Sequence, residues 1–203
     1  MDMDSTLITI ECIDELGDMA GKKSEIAAIT AQAMRGEIDY PESLRRRVSL
    51  LAGLQESALE RVYQERLKLT AGAEELLAAC KKHKVKLLLV SGGFTFFTER
   101  LKTRLGLDYA ISNSLEITGG KLTGRVVGGI VGAQAKAAKF VSILRALRAT
   151  KEQSIAIGDG ANDLKMMAEA GLSIAFHAKP VVRAQASCAI TWSGLDAVVN
   201  LLE

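Results

Sequence analysis

Four carboxylates in two short motifs, one toward each end of the chain, constrain the fold more than any other feature. Asp2-Met3-Asp4-Ser5-Thr6 opens the sequence, and Gly158-Asp159-Gly160-Ala161-Asn162-Asp163 lies far downstream. The first motif reads as the exit of an apolar segment. The second is a Gly-rich turn that follows the apolar run Ile155-Ala156-Ile157. Carboxylates beside a core are strongly destabilising unless a cation compensates them. A fold that gathers both motifs at one end of a sheet, around a cation, meets that requirement.

The texture between the motifs indicates which sheet. Residues 4–10 read as the end of a strand and the exit from it. From about residue 11 to 70 the chain is charged, with apolar residues at i, i+3, i+4 spacing, which predicts helices over 11–19, 23–34, 41–52 and 56–67. Gly21, Gly36 and Gly53 punctuate them, and Pro41 marks a helix start. From residue 71 helix and strand alternate. The pattern predicts a helix over 72–83, a strand over 84–90 stopping at Ser91-Gly92-Gly93, and a helix from near Phe94. Residues 109–118 and 121–127 flank Gly119-Gly120 as a hairpin. A helix over 133–148, a strand over 154–157, a helix over 162–170, strands over 172–176 and 187–191 and a helix over 195–202 complete the chain. Buried strands alternating with helices predict an α/β fold with a doubly wound, mostly parallel sheet. Residues 1–10 and 71–203 form the expected core, and 11–70 an inserted helical cap. The insertion point suits a lid over the carboxyl ends of the strands, where such sheets bind ligands.

At 203 residues and 48% apolar, the chain can bury one large domain or a core with a small insert. Its 26 basic and 24 acidic residues nearly cancel and only 4% are aromatic, so nothing favours nucleic acid as a partner. No uncharged apolar stretch approaches the roughly 18–20 residues of a membrane span, and no basic stretch leads into an apolar run as in a signal peptide. Cys12, Cys80 and Cys188 form no CxxC pair. Reduced, mostly buried thiols in a cytoplasmic protein are expected. His83 and His177 have no ligand partners at useful spacing, and Phe176 and Trp192 are expected to pack.

Brought together, the carboxylates make an anionic site for a hard cation. Mg²⁺ fits, because it binds through one or two carboxylates and keeps waters and phosphate oxygens. The pairing points to phosphoryl transfer onto an aspartate. Asp2 and Asp4 are two apart, which on a strand places both on one face. Asp2 is the expected nucleophile and Asp4 the general acid–base. Asp159 is the expected metal ligand, with Asp163 in support. Asn162 or Asp163 can also cap the helix that follows. Ser91, with the N–H groups of Gly92 and Gly93 at a helix N-terminus, would cradle phosphate; a helix N-cap serine reads equally well there. Lys136 is the candidate to neutralise phosphoryl oxygens, and Lys139 on the same helix competes with it.

The order Asp2/Asp4, Ser91, Lys136, Asp159/Asp163 resembles that of the haloacid dehalogenase superfamily over nearly the whole chain. Below that level, DMDSTLITIECIDELG, SLRRRVSLL, VSGGF and IGDGANDLKMM resemble the phosphoserine phosphatases. The resemblance implies a Rossmann-like core with a helical cap, Mg²⁺ as cofactor held by Asp2, the Asp4 backbone carbonyl and Asp159, and hydrolysis of O-phospho-L-serine through an aspartyl-phosphate on Asp2, the last step of serine biosynthesis. It also implies that Glu11 holds the substrate ammonium and Arg47 its carboxylate. Met34 and Val48 would line the cap side, and Gly92 and Asn162 would complete the contacts. A zwitterion needs one anion and one cation, and Arg offers a bidentate fork. On the residues alone, Glu11 reads as a first-turn helix acid and Arg45, Arg46 and Arg47 as a basic helix face. A phosphotransferase to another acceptor such as homoserine, and a non-catalytic serine or phosphoserine binder, stay open as alternatives. The expected partner is a small-molecule substrate, with neither nucleic acid nor membrane; the oligomeric state is open, a homodimer included.

In that family an apolar half-strand precedes the nucleophile, where this chain has only Met1. Its loss would remove ladder hydrogen bonds worth ~1 kcal/mol each. It would also leave a terminal ammonium, with a pKa of about 8 and largely charged, beside Asp2. Three readings are open: the protein continues upstream, another segment or subunit fills the gap, or the site is weakened.

Overall fold

The computed structural model describes residues 1–202. Helices come first: Cys12–Met19 (α1), Lys23–Met34 (α2), Tyr40–Ser49 (α3) and Ser57–Arg61 (α4), the last running on into a wider turn over Val62–Arg66. The start of α3 has a local cause. The Asp39 side chain accepts from the Glu42 N–H at 2.8 Å, and Pro41 occupies the first turn. At Gly17 the first two helices meet closely, since a Cβ there would lie 2.5 Å from Ile26 Cδ1. Arg66 closes the block by reaching back to Glu15 at 2.6 Å and Asp18 at 2.7 Å.

The remainder alternates: Ala73–Lys82 (α5), Leu88–Phe94 (β1), Thr95–Leu105 (α6), Tyr109–Thr118 (β2), Lys121–Val127 (β3), Ala133–Leu147 (α7), Ile155–Gly158 (β4), Leu164–Ala168 (α8), Leu172–Phe176 (β5), Pro180–Arg183 (α9) and Cys188–Ile190 (β6). β1 pairs parallel with β2, and β2 antiparallel with β3. The strands β4, β5 and β6 pair parallel in that order.

Two residues stitch these three-stranded sheets together. The Met1 amino group donates to Leu88 O at 2.8 Å. Val90 N–H donates to Met1 O, and Asp2 N–H to Ile157 O, both at 3.0 Å. Met1 and Asp2 therefore lie between β1 and β4, which gives the predicted doubly wound α/β arrangement and sets Asp2 at the carboxyl ends of the central strands. The terminal amine differs from expectation. Burial lowers its pKa to about 6, so it is mostly neutral near pH 7, and it bonds a carbonyl.

Several boundaries also differ. Residues 4–10 form no strand; they follow Asp2 into a wide turn over Met3–Leu7, closed by Ile8 N–H on Met3 O at 3.0 Å. β1 starts at Leu88, not residue 84, because Lys84 takes a left-handed φ of 57° after α5 and Leu87 N–H is drawn to Asp108 Oδ2 at 2.9 Å. It then runs on through both glycines to Phe94. The helix expected over 162–170 begins as a 3₁₀ turn, Ala161–Asp163, and the one over 195–202 is a 3₁₀ stretch, Leu195–Leu201. Phe176 is buried as expected, but Trp192 is 93% exposed. There the neighbouring backbone is tied down instead: Ser193 O bonds His177 Nε2 and Leu195 N–H donates to Ala71 O. All three cysteines are free thiols, Cys12 and Cys80 buried and Cys188 half-buried. Among the described residues no helix is long and apolar enough to cross a membrane.

Candidate active site

The turn after Asp2 builds the site. Asp4 is extended there (φ −64°, ψ 136°), and Ser5 takes a left-handed φ of 56° that reverses the chain into α1. Asp4 Oδ1 accepts the Cys12 N–H at 3.0 Å, an orphan donor at the start of that helix. Its Oδ2 accepts from Ser91 Oγ at 3.2 Å. The two motifs meet as their chemistry requires, although Asp4 sits in the turn and not on a shared strand face.

Lys136 joins them. Its ammonium is 0% exposed and lies 2.9 Å from both Asp2 Oδ2 and Asp163 Oδ1. The second oxygen of Asp2 accepts the Met3 N–H at 2.7 Å, and that of Asp163 the Gly160 N–H at 3.2 Å. Thr6 Oγ1 donates to Asp159 Oδ1 at 3.2 Å. Gly158 permits this approach, since a Cβ there would lie 2.5 Å from the Asp163 carboxyl group. Lys139 is exposed, so the helix offers one lysine to the site.

The electrostatics are unbalanced. Burial, and then the Asp2 charge after a partly compensating bond from Cys12 N–H, push Asp4 up to about 6. Burial and Asp2 push Asp163 up to about 7 against the pull of Lys136, and burial raises Asp159. Glu11 opens onto the cavity and accepts from Ser5 Oγ at 2.6 Å. The surrounding low-dielectric walls, with the Asp4 charge, push it up to about 8. Burial acts to lower the Lys136 pKa, but Asp2 and Asp163 override it and hold the ammonium above the ordinary lysine value. One buried lysine thus faces a surplus of carboxylates. Asp2, Asp159 and Asp163 present oxygens within 4.8 Å of one another. This all-oxygen, anionic set fits a hard divalent cation such as Mg²⁺.

Above this floor opens a cavity of about 620 Å³, whose walls come partly from α2 and α3. Glu11, Met34, Arg47, Gly92 and Asn162 all line it together with Asp2, Asp4 and Asp159. Of the three arginines, Arg45 is exposed and Arg46 pairs with Glu42 at 2.7 Å. The half-buried Arg47 faces the cavity. Met34 is 63% exposed at the rim, where Lys179 Nζ lies 3.8 Å from its sulfur. Val48 packs in the hydrophobic core one turn after Leu44 and does not line the cavity.

The phosphate cradle differs from its prediction. Gly92 and Gly93 belong to the extended tail of β1, and the helix after them is capped at Phe94. Ser91 is therefore no N-cap; its Oγ accepts the Gly93 N–H at 2.7 Å. Tyr40, Asn113 and Ser43 escaped sequence reasoning. Tyr40 Oη donates to Gly92 O at 2.9 Å, and Asn113 Nδ2 to the same oxygen at 2.8 Å. Ser43, one turn before Arg47 on the cavity wall, has a buried hydroxyl with no partner. A tyrosine before Pro41 reads only as a helix start, and a polar residue within a strand carries no periodic signal.

The chain matches the haloacid dehalogenase-like hydrolase family over residues 1–168. A phosphoserine phosphatase of Polaromonas sp. is 55% identical, with 100% of this chain and 88% of that protein covered. One from Vibrio cholerae is 48% identical over 100% of this chain and 61% of its own length. A solved structure described as a phospho-aspartyl intermediate analogue of phosphoserine phosphatase superposes with a TM-score of 0.93 at 39% identity, covering 100% of this chain and 96% of that one. With its two acidic motifs joined at the carboxyl ends of a parallel sheet, the chain belongs to the haloacid dehalogenase-like hydrolase family.

Proposed function

We propose that this chain hydrolyses O-phospho-L-serine to L-serine and phosphate, the last step of serine biosynthesis, through a phosphoryl group carried on Asp2. One observation carries the reading: a single cavity has Asp2 at the floor, bonded from beneath by buried Lys136, and Glu11 and Arg47 on the walls. That set offers a phosphoryl acceptor together with a guanidinium for the carboxylate of an amino acid and the Glu11 carboxyl group, whose raised pKa an arriving ammonium would bring back down. The names of the relatives above agree with it.

An Asp2 oxygen attacks phosphorus as the bond to the serine oxygen breaks. Asp4, pushed up to about 6, can hold a proton near neutrality and gives it to the leaving alkoxide. Water then attacks the phosphoryl group, Asp4 takes its proton, and the bond to Asp2 breaks to release phosphate. Lys136 and Ser91 stabilise the phosphoryl oxygens. Asp2, Asp159 and the Asp4 carbonyl would hold Mg²⁺, with Asp163 in support. Mg²⁺ when bound neutralises phosphoryl charge. Glu11 takes the ammonium and Arg47 the carboxylate, while Met34, Gly92 and Asn162 frame the substrate. Residues 11–70 act as a cap on the core of 1–10 and 71–203 and keep bulk water out.

The test is phosphate release from O-phospho-L-serine, with Mg²⁺ and with EDTA, for the wild type and Asp2→Asn. Mg²⁺-dependent release that vanishes in the variant is expected. Wild-type rates in Asp2→Asn would overturn the assignment, and serine formed with an added acceptor alcohol that takes up the phosphoryl group, without free phosphate, would make the protein a transferase.

A further inference from the structure

One peptide group beside the site is held from both ends. The Gly92 carbonyl accepts from Tyr40 Oη at 2.9 Å and from Asn113 Nδ2 at 2.8 Å. The N–H of the same peptide, that of Gly93, donates to Ser91 Oγ at 2.7 Å, and that hydroxyl donates to Asp4 Oδ2 at 3.2 Å. A peptide group is planar, so turning its carbonyl turns its N–H equally.

The two donors come from different parts of the molecule. Asn113 lies in β2, is 1% exposed, and is locked by accepting the Val131 N–H on Oδ1 at 2.7 Å. Tyr40 opens α3 in the helical block. Burial pushes its phenol up to about 12, so it remains a donor at any working pH. Two glycines leave room for it: a Cβ on Gly92 would collide with its hydroxyl, and one on Gly132 would lie 3.2 Å from its ring.

We propose that Tyr40 and Asn113 are positioning residues for Ser91. By fixing the Gly92–Gly93 peptide plane they aim the Ser91 hydroxyl at Asp4. Asn113 supplies the permanent part of this alignment. Tyr40 supplies a part that exists only while the helical block is seated on the core, so cap seating is sensed at Ser91 through one peptide. The role in turnover rests on the catalytic reading above.

The test is a double-mutant cycle in the full chain with saturating Mg²⁺. Tyr40→Phe, which removes one hydroxyl and keeps the ring, should lower kcat by about 3- to 10-fold, the range expected from one hydrogen bond. In a Ser91→Ala background the same change should move kcat less than about 2-fold. Equal losses in both backgrounds would overturn the proposal. A second measurement needs no turnover. Amide exchange at Gly93, followed by NMR, should quicken in Tyr40→Phe relative to the wild type, while exchange in the β4 and β5 strands stays unchanged. Unchanged exchange at Gly93 would refute the inference even if the catalytic reading holds. Faster exchange in a protein without phosphatase activity would uphold the positioning and reject the catalytic reading.

Discussion

The floor and the wall of the cavity are built on opposite electrostatic plans. On the floor, buried Lys136 pairs with buried Asp2 and Asp163, each at 2.9 Å. On the wall, Glu11 and Arg47 make no ion pair within 4 Å among the described residues, their side chains bonding only Ser5 Oγ and Ser43 O, and the Ser43 hydroxyl has no partner there. A buried polar network is rigid to the extent that its members are bonded. A wall with unmatched groups is complementary to something that arrives. On the proposed function, the floor serves phosphoryl chemistry and the wall selects the alcohol that enters.

This contrast orders the expected effects. Lys136→Met should be the most damaging, because it leaves two carboxylates buried without their cation. A loss of about 3–5 kcal/mol in urea unfolding is expected, along with loss of turnover. A loss below about 1 kcal/mol would mean that the floor is solvated, not preorganised. Gly158→Ala comes next. Its Cβ would press on the Asp163 carboxyl group, and roughly 1–3 kcal/mol of stability should be lost with a matching fall in kcat. A variant as active as the wild type would show that the floor tolerates displacement.

Wall substitutions should behave differently. Arg47→Ala should leave unfolding within about 0.5 kcal/mol of the wild type and raise KM for O-phospho-L-serine by about 10- to 100-fold. Phosphoethanolamine, which lacks the carboxylate, should be turned over equally by both proteins. An equal loss on the two substrates would place Arg47 with the floor. Smallest is Ser43→Ala. Removing a buried hydroxyl that bonds nothing should leave the thermal midpoint of the ligand-free protein unchanged or slightly raised. A marked drop would reveal a structural bond for that hydroxyl.

The floor was far more legible in the sequence than its supports. Asp2, Asp4, Asp159 and Asp163 stand in motifs whose charge demands a partner, so their meeting followed from chemistry before any geometry. The choice of Lys136 over Lys139 required the helix to be seated, because burial alone separates them. Periodicity could not reveal that two residues, Met1 and Asp2, bridge β1 and β4, since a strand that short has no period. Gly92 and Gly93 read as a stop, whereas they continue β1 and make room for a tyrosine from another part of the chain. Asn113 gave no warning either: its bonds join segments distant in sequence, and only the fold brings them to one amide. Trp192 was expected inside on hydrophobicity, but its position in a tethered turn leaves the ring in solvent.

The central claim is that Asp2 accepts the phosphoryl group. The most direct measurement is to mix the protein with O-phospho-L-serine and Mg²⁺, quench in acid during turnover, and locate the phosphoryl group by mass spectrometry. A phosphorylated N-terminal peptide modified at Asp2, absent in Asp2→Asn, is predicted. Label on another residue, or turnover in Asp2→Asn at the wild-type rate, would contradict it.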